Sequence, residues 1–228
     1  MSSSLIGMFA KHWLPGQCKT RLAKSIGFEN AAWLHRRFVQ HLIARINPNP
    51  FDKQLVFSPP HRQSEFQRMI RNTDWHLHAQ SPGDLGQRMQ SFFAHAFTAG
   101  YQRVVLIGSD SPDLPDAIIQ NAFAKLTSHD VVLSPTTDGG YCLVGQRRFV
   151  PTMFASIKWS SSRVFHDTTE RLAEQNVSFA TLGTWHDIDT VDDLQAFMLR
   201  SQSSRTTSEN QSLLQDVRSV LATHGCLN

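Results

Sequence analysis

Short apolar runs at 5–9, 54–57, 75–79, 104–107, 131–133, 141–144 and 177–182 read as β-strands. Between several of them, apolar residues recur at helical spacing. Ala31, Leu34, Phe38, Leu42 and Ile46 mark one stripe, and Leu85, Met89, Phe92 and Ala96 mark a second. The second stripe opens with Asp84 and Gln87 at capping-box spacing, and Gly100 follows it as a suitable helix C-terminus. A third helix is predicted to start at Pro115 and to turn Ile118, Ala122 and Leu126 inward. Alternation of strand and helix predicts an α/β layer fold with a mostly parallel sheet. Segments 131–133 and 141–144 leave no room for an intervening helix, so an antiparallel strand is expected there.

The pattern changes after Arg200. Residues 201–211 are almost all polar and read as a linker, after which Leu213, Leu214, Val217, Val220 and Leu221 form a short amphipathic helix. The chain is therefore expected to divide into a domain at 1–200 and an appendage at 201–228. A helix this short is marginal alone in water, so its apolar stripe needs cover from the body or from a second chain.

The 228 residues are 40% hydrophobic and 18% charged, which supports a full core and excludes wholesale disorder. No apolar run approaches the ~18 residues of a membrane span. The opening Met-Ser-Ser-Ser-Leu-Ile-Gly lacks a basic n-region and a long apolar stretch, so a cytoplasmic protein is expected. Cys18, Cys142 and Cys226 stand far apart without CxxC spacing, which suggests neither a disulfide framework nor a structural zinc. The net charge of +3 is spread along the chain, without the basic stripe that nucleic-acid binding wants.

Ligands in open parallel sheets gather beyond the carboxyl ends of the strands, and four unusual segments fall there. After the first strand, Lys11, Pro15, Gly16, Lys19, Thr20 and Arg21 combine a turn, a hydroxyl and three cations, a composition suited to phosphate. A solvated basic loop is the plain alternative. After 104–107 comes Gly108-Ser109-Asp110-Ser111-Pro112-Asp113, where Asp110 can hold a hard cation and Asp113 suits a helix cap. Asp138-Gly139-Gly140-Tyr141 is either a hairpin turn or a close backbone approach to a ligand with Tyr141 stacking on a ring. Before the last body helix stand Asp187 and Asp189, while Thr190 and Asp193 have capping spacing. Asp110 and Asp189 could share one metal ion. His76 and His78 share a strand face but lack a third partner, and no nucleophile elbow is present.

These segments resemble the bacterial transferase family named for its radical-SAM and selenodomain gene neighbours, a group akin to phospholactate guanylyltransferase. Pro15, Gly16, Lys19, Thr20, Arg21 and Leu22 match its first loop. Asp84, Leu85, Gly86, Arg88 and Met89 match a second motif, followed by Gly108 to Pro112, Asp138 to Tyr141, Trp159-Ser160, and a closing Asp-x-Asp-Thr-x-x-Asp-Leu. Trp13 and Val191 stand where the family usually has proline. The resemblance implies a nucleotide-diphospho-sugar-transferase-like α/β/α sandwich of the GT-A type. A nucleotide would lie across the first loop, touching Lys11, Pro15, Gly16, Thr20, Gly86, Arg88, Gly108 and Ser109. Asp138, Gly139, Gly140, Tyr141 and Trp159 would face the acceptor, and Asp110 with Asp189 would bind Mg²⁺ or Mn²⁺.

The activity expected is nucleotidyl transfer from a nucleoside triphosphate to a small phosphorylated or hydroxylated molecule, with Lys19, Arg21 and Asp110 as the catalytic groups. Glycosyl transfer from a nucleotide sugar is the second reading, and a non-catalytic nucleotide-binding protein the third. Neither nucleic acid nor membrane is expected as a partner, and the tail leaves room for a homo-oligomer.

Overall fold

The computed structural model describes residues 3–202 and 208–227. Its centre is a seven-stranded mixed sheet in the order β3-β2-β1-β4-β6-β5-β7. The strands are β1 (Ser4–Lys11), β2 (Asp52–Ser58), β3 (Trp75–Ala79), β4 (Arg103–Gly108), β5 (Val131–Pro135), β6 (Tyr141–Gln146) and β7 (Phe179–Thr181). All seven strands foreseen in the hydrophobic pattern are present. Only β6 runs antiparallel to its neighbours β4 and β5, as the short spacing before it required.

Strand β1 pairs in parallel with β2 on one side and β4 on the other. The chain thus winds outward from β1 to β3 and returns across β1 to begin β4. That reversal opens a crevice at the carboxyl ends of β1 and β4, the place where ligands bind in such sheets. Because side chains alternate along a strand, β1 sends Ile6, Met8 and Ala10 to one face and Leu5 to the other. Gly7 is small for a reason: a Cβ there would stand 2.3 Å from the Phe92 ring.

Helices cover both faces and complete three layers. One face carries α2 (Phe28–Ile46), α3 (Gln63–Met69) and α5 (Asp116–Lys125), and the other carries α4 (Leu85–Thr98) and α6 (Val164–Glu174). Asp84 and Gln87 form the predicted capping box, with Asp84 accepting from the Gln87 amide at 2.9 Å. Ala99 rather than Gly100 caps this helix, and Gly100 follows in the left-handed region at φ 92°. In α5 and its C-cap, Ala122 and Leu126 are buried as predicted, and Ile119 is buried where Ile118 was expected, Ile118 being half-buried.

A third apolar cluster closes the carboxyl end. It joins α1 (Ala23–Ile26) and α2 to α7 (Val191–Gln202) and α8 (Ser208–Thr223) through Leu22, Leu34, Phe38, Ile188 and Leu194. Leu213, Val217, Val220 and Leu221 of α8 are buried there, and Arg37 of α2 pairs with Asp216 at 2.6 Å. The tail stripe is covered by the body of its own chain. Helix α7 runs through Ser201 to Gln202 and α8 starts at Ser208. The remainder of the expected linker, 203–207, lies outside the described residues.

Two outcomes test this packing. A chain ending at Arg200 is expected to fold but to melt roughly 10 °C lower, having lost four buried aliphatic side chains. It should also self-associate through the uncovered face of α2, which sedimentation would detect. The second concerns His41, buried on α2, where burial, Arg45 and Arg37 push its imidazole down to about 4. The unfolded chain takes up this proton at an ordinary ~6.5. Stability is therefore complete above that value and is lost as pH falls, by roughly 2 kcal/mol at pH 5. His41→Gln should lose visibly less melting temperature between pH 7 and pH 5 than the unsubstituted chain does.

Candidate active site

The loop leaving β1 returns over the crevice and places Lys19 at its floor. Lys19 takes a left-handed backbone conformation, φ 47°, and its carbonyl accepts the Ala23 amide at 2.9 Å as α1 begins. Its side chain is only 3% exposed, and the ammonium meets three oxygens: Asp110 Oδ1 at 2.5 Å, Ile188 O at 2.6 Å and Asp189 Oδ1 at 3.1 Å. Three acceptors use all three N–H bonds of an ammonium. Burial alone would push Lys19 down, but Asp110 and Asp189 outweigh it and hold the lysine charged. Burial would likewise raise Asp110, and Lys19 overrides it so that the carboxyl stays ionised.

Three distant segments meet at that ammonium. Asp110 lies two residues beyond β4, and its carbonyl accepts the Ile188 amide at 2.9 Å, which fixes the strand exit against the segment before α7. Thr190 and Asp193 form the predicted capping box of α7: the Asp193 carboxylate accepts from the Thr190 amide at 2.8 Å, and the Thr190 hydroxyl oxygen accepts from the Asp193 amide at 3.2 Å. That box sets where Asp189 points. Asp187 accepts from the Ser111 hydroxyl at 2.5 Å, and burial, with the charges of Asp110 and Asp138, pushes it up to about 6.

The crevice holds a cavity of about 440 Å³. Its polar end is lined by Lys11, Lys19, Asp110, Asp187 and Asp189, with Gly108 and Ser109 at the strand exit. Leu85, Met89, Leu106, Leu143 and Val144 wall the other end, and Tyr141 joins them. The structure therefore gathers Lys11, Lys19, Gly108, Ser109, Asp110, Tyr141 and Asp189 around one space. Arg21 stands at the rim, 72% exposed, with a guanidinium nitrogen 3.8 Å from Asp189.

The remaining predicted positions act around the cavity, not on its lining. Pro15, Gly16 and Thr20 shape the loop, and Gly16 takes φ 78°. Gly86 is where α4 meets Trp159, since a Cβ would come within 2.7 Å of the indole nitrogen. Arg88 donates to the Gly83 carbonyl at 2.8 Å and so closes the turn before α4. Asp138 accepts from Thr136 Oγ1 at 2.5 Å and from the Gly140 amide at 3.0 Å, which is the turn role. Gly139 lies under the Ser162 carbonyl, 2.0 Å from where a Cβ would be, so this turn admits no side chain. Tyr141 meets Trp159 edge to face with 6.5 Å between centroids.

One expectation is corrected. Asp113 does not cap α5, whose N-cap is Pro115; it accepts from Trp185 Nε1 at 3.1 Å and from Arg200 at 3.2 Å. His78 packs on His95 of α4, 4.5 Å between centroids, while His76 lies exposed beside it. Among the described residues, the surface trio His166, Asp167 and Glu170 is the group of three metal-ligand side chains whose donor atoms lie close together, and Asp110, Asp187 and Asp189 form no such group of three.

His35 is the site residue that sequence reasoning missed. Its Nε2 hydrogen-bonds the Lys11 carbonyl at 2.9 Å, and its Nδ1, buried and unpartnered, faces Asp110 Oδ1 at 3.9 Å. A carbonyl can only accept, so Nε2 carries the hydrogen and Nδ1 is a bare acceptor. Burial keeps the ring neutral. The available signal was its place on the buried α2 stripe between Leu34 and Phe38, a pattern that reads as core.

Comparison with known proteins accords with this layout. No curated protein matches the chain. Among solved structures, it aligns with a Desulfovibrio desulfuricans G20 protein, named provisionally a nucleotide-diphospho-sugar transferase, at TM-score 0.90 and 33% identity, over 98% of this chain and 99% of that one. A cytidylyltransferase from Leptospira borgpetersenii serovar Hardjo-bovis aligns at TM-score 0.57 and 14% identity, over 99% and 96% of the two chains. The inositol-1-phosphate CTP transferase from T. maritima aligns at 0.55 and 12%, over 95% and 96%. At those identities the last two show a shared fold. Residues 43–161, more than half of the sequence and including Asp110 and the Asp138–Tyr141 motif, match a single family, and the chain belongs to it: the family described as "Uncharacterized protein conserved in bacteria (DUF2064)".

Proposed function

We propose that the crevice binds a nucleoside triphosphate and transfers its nucleotidyl group to a small acceptor, releasing pyrophosphate. The observation that carries this reading is the meeting of a cationic loop and a carboxylate set at the β1–β4 reversal point. The names of the structural neighbours, two of them cytidylyl- or CTP-transferring enzymes, agree with it. An acceptor oxygen would attack the α-phosphorus as the bond to the bridging oxygen breaks, and the electron pair leaves with pyrophosphate. A phosphate oxygen on the acceptor carries no proton to dispose of. Such a reaction asks for positioning and charge stabilisation more than for a covalent nucleophile.

The donor chemistry fits a hard divalent cation. Asp110 and Asp189 present carboxylates that are 45% and 43% exposed toward the cavity, and Asp187 adds a third on the same wall. Mg²⁺ or Mn²⁺ held by Asp110 and Asp189 would supply Lewis-acid stabilisation of the phosphates. Lys11 on the cavity lining and Arg21, exposed at its rim beside Asp189, would bind the β- and γ-phosphates. The apolar wall of Leu85, Met89, Leu143 and Val144 would exclude water from the reacting groups. Glycosyl transfer from a nucleotide sugar is the second reading, supported by the name given to the Desulfovibrio relative. In that case the same cations would stabilise a departing nucleoside diphosphate.

A melting panel of nucleoside triphosphates and nucleotide sugars, with and without Mg²⁺, separates the two. A ligand at a hundred times its Kd adds about 2.7 kcal/mol, or roughly 5–10 °C here. Stabilisation by a triphosphate supports nucleotidyl transfer, stabilisation by nucleotide sugars alone supports the second reading, and none by either removes both. Asp110→Asn is expected to lower metal-dependent turnover at least about a hundredfold while remaining folded; near-normal turnover would exclude Asp110 as a metal ligand. Arg21→Ala should weaken triphosphate binding roughly ten- to a hundredfold with no change in melting temperature, as expected of an exposed cation.

A further inference from the structure

Lys19 occupies the position that the proposed metal would need. Its Nζ lies within 3.1 Å of a carboxylate oxygen from Asp110, a carboxylate oxygen from Asp189 and the backbone carbonyl of Ile188. Two carboxylates and a carbonyl make the all-oxygen set that hard cations take. An ammonium, a compact point charge, satisfies the same oxygens. The lysine is fully committed, with every N–H used, and it is reached only through a left-handed backbone at a non-glycine position, φ 47°. Such a conformation costs on its own and persists where surrounding contacts impose it.

We infer that Lys19 is a built-in stand-in for the divalent cation, so that metal and lysine compete for Asp110 and Asp189. This rests on the reading that those two carboxylates hold the metal. A cation held by the same three oxygens would stand where the ammonium stands. In taking those oxygens the metal displaces Lys19, and the phosphate oxygens of a nucleotide in the cavity would receive the displaced ammonium. Free metal is held weakly, because expelling a buried ammonium leaves that charge unpaired. Metal accompanied by nucleotide is held well, because the phosphates receive the lysine. Lys19 is thus a positioning residue for the carboxylates in the ligand-free chain and a phosphate ligand in the loaded one.

The test measures Mn²⁺ binding to the full chain by titration calorimetry without nucleotide. Lys19→Met should bind Mn²⁺ at least about tenfold more tightly than the unsubstituted chain, because one neighbouring positive charge is gone. Its melting temperature should fall in the absence of metal and recover on adding Mn²⁺, a recovery that a merely structural lysine would not produce. Equal or weaker binding by folded Lys19→Met overturns the inference. Should that variant not fold, the unsubstituted chain decides: reductive methylation followed by mass spectrometry should find Lys19 protected without metal and modified when Mn²⁺ is saturating. Unchanged protection overturns the inference. The nucleotide reading is judged separately by the melting panel, so stabilisation by a triphosphate would keep that reading even where the competition is disproved.

Discussion

The buried ammonium of Lys19 is the constraint on which the carboxyl end of this sheet depends. A lysine that is 3% exposed cannot stay charged without partners, and its partners come from positions 110, 188 and 189, far away in sequence. Those positions can meet only if β1 and β4 are neighbours and the segment before α7 crosses above them. The parallel pairing of β1 with β4 and the hydrogen bond from the Ile188 amide to the Asp110 carbonyl supply these conditions. Sheet topology, loop conformation and charge pairing thus form one arrangement at this end of the sheet.

The same reasoning gives the C-terminal helix a part in the site. Leu22, Ala23 and Ile26 continue directly from the Lys19 loop and enter the apolar cluster that also takes Ile188 and Leu194 from the far side of the site. Helix α8 packs on α2 and α7 and completes that cluster. Both chain segments that embrace the ammonium are therefore anchored in one small core, and α8 supplies a large share of its apolar side chains. The Desulfovibrio relative aligns over nearly the whole of both chains, so the tail belongs to the shared architecture.

Much of this was legible in the sequence, for identifiable reasons. The central strands β1, β4, β5 and β6 are short apolar runs buried on both faces, as a sheet covered on both sides demands. Helix α4 announced itself through Asp84 and Gln87, and α7 through Thr190 and Asp193, because capping is a local interaction with fixed spacing. Asp110, Lys19 and Asp189 could be placed beyond strand ends without knowing the fold. What could not be read was that their charges cancel one another, since pairing between residues 170 positions apart leaves no local trace. His35 was hidden by its stripe, for a histidine among Ala31, Leu34 and Phe38 looks like any buried helix residue. Asp113 misled through position alone: it stands two residues ahead of the helix start expected at Pro115, but its carboxylate is taken by Trp185 and Arg200 and the cap is Pro115.

The glycine-rich turn shapes the site through its backbone. Asp138 Oδ1 accepts from Thr136 and from the Gly140 amide, and Gly139 accommodates the Ser162 carbonyl, so both hold the turn in shape. What the turn does is deliver Tyr141 to the cavity wall at the start of β6, while the segment it grips runs on from Trp159, which packs over Gly86. Gly86 in turn lets the first turn of α4 come close enough for Leu85 and Met89 to line the same wall. The apolar end of the cavity is therefore built by close backbone approaches that glycine alone permits, and the polar end by charges that only a buried lysine can reconcile.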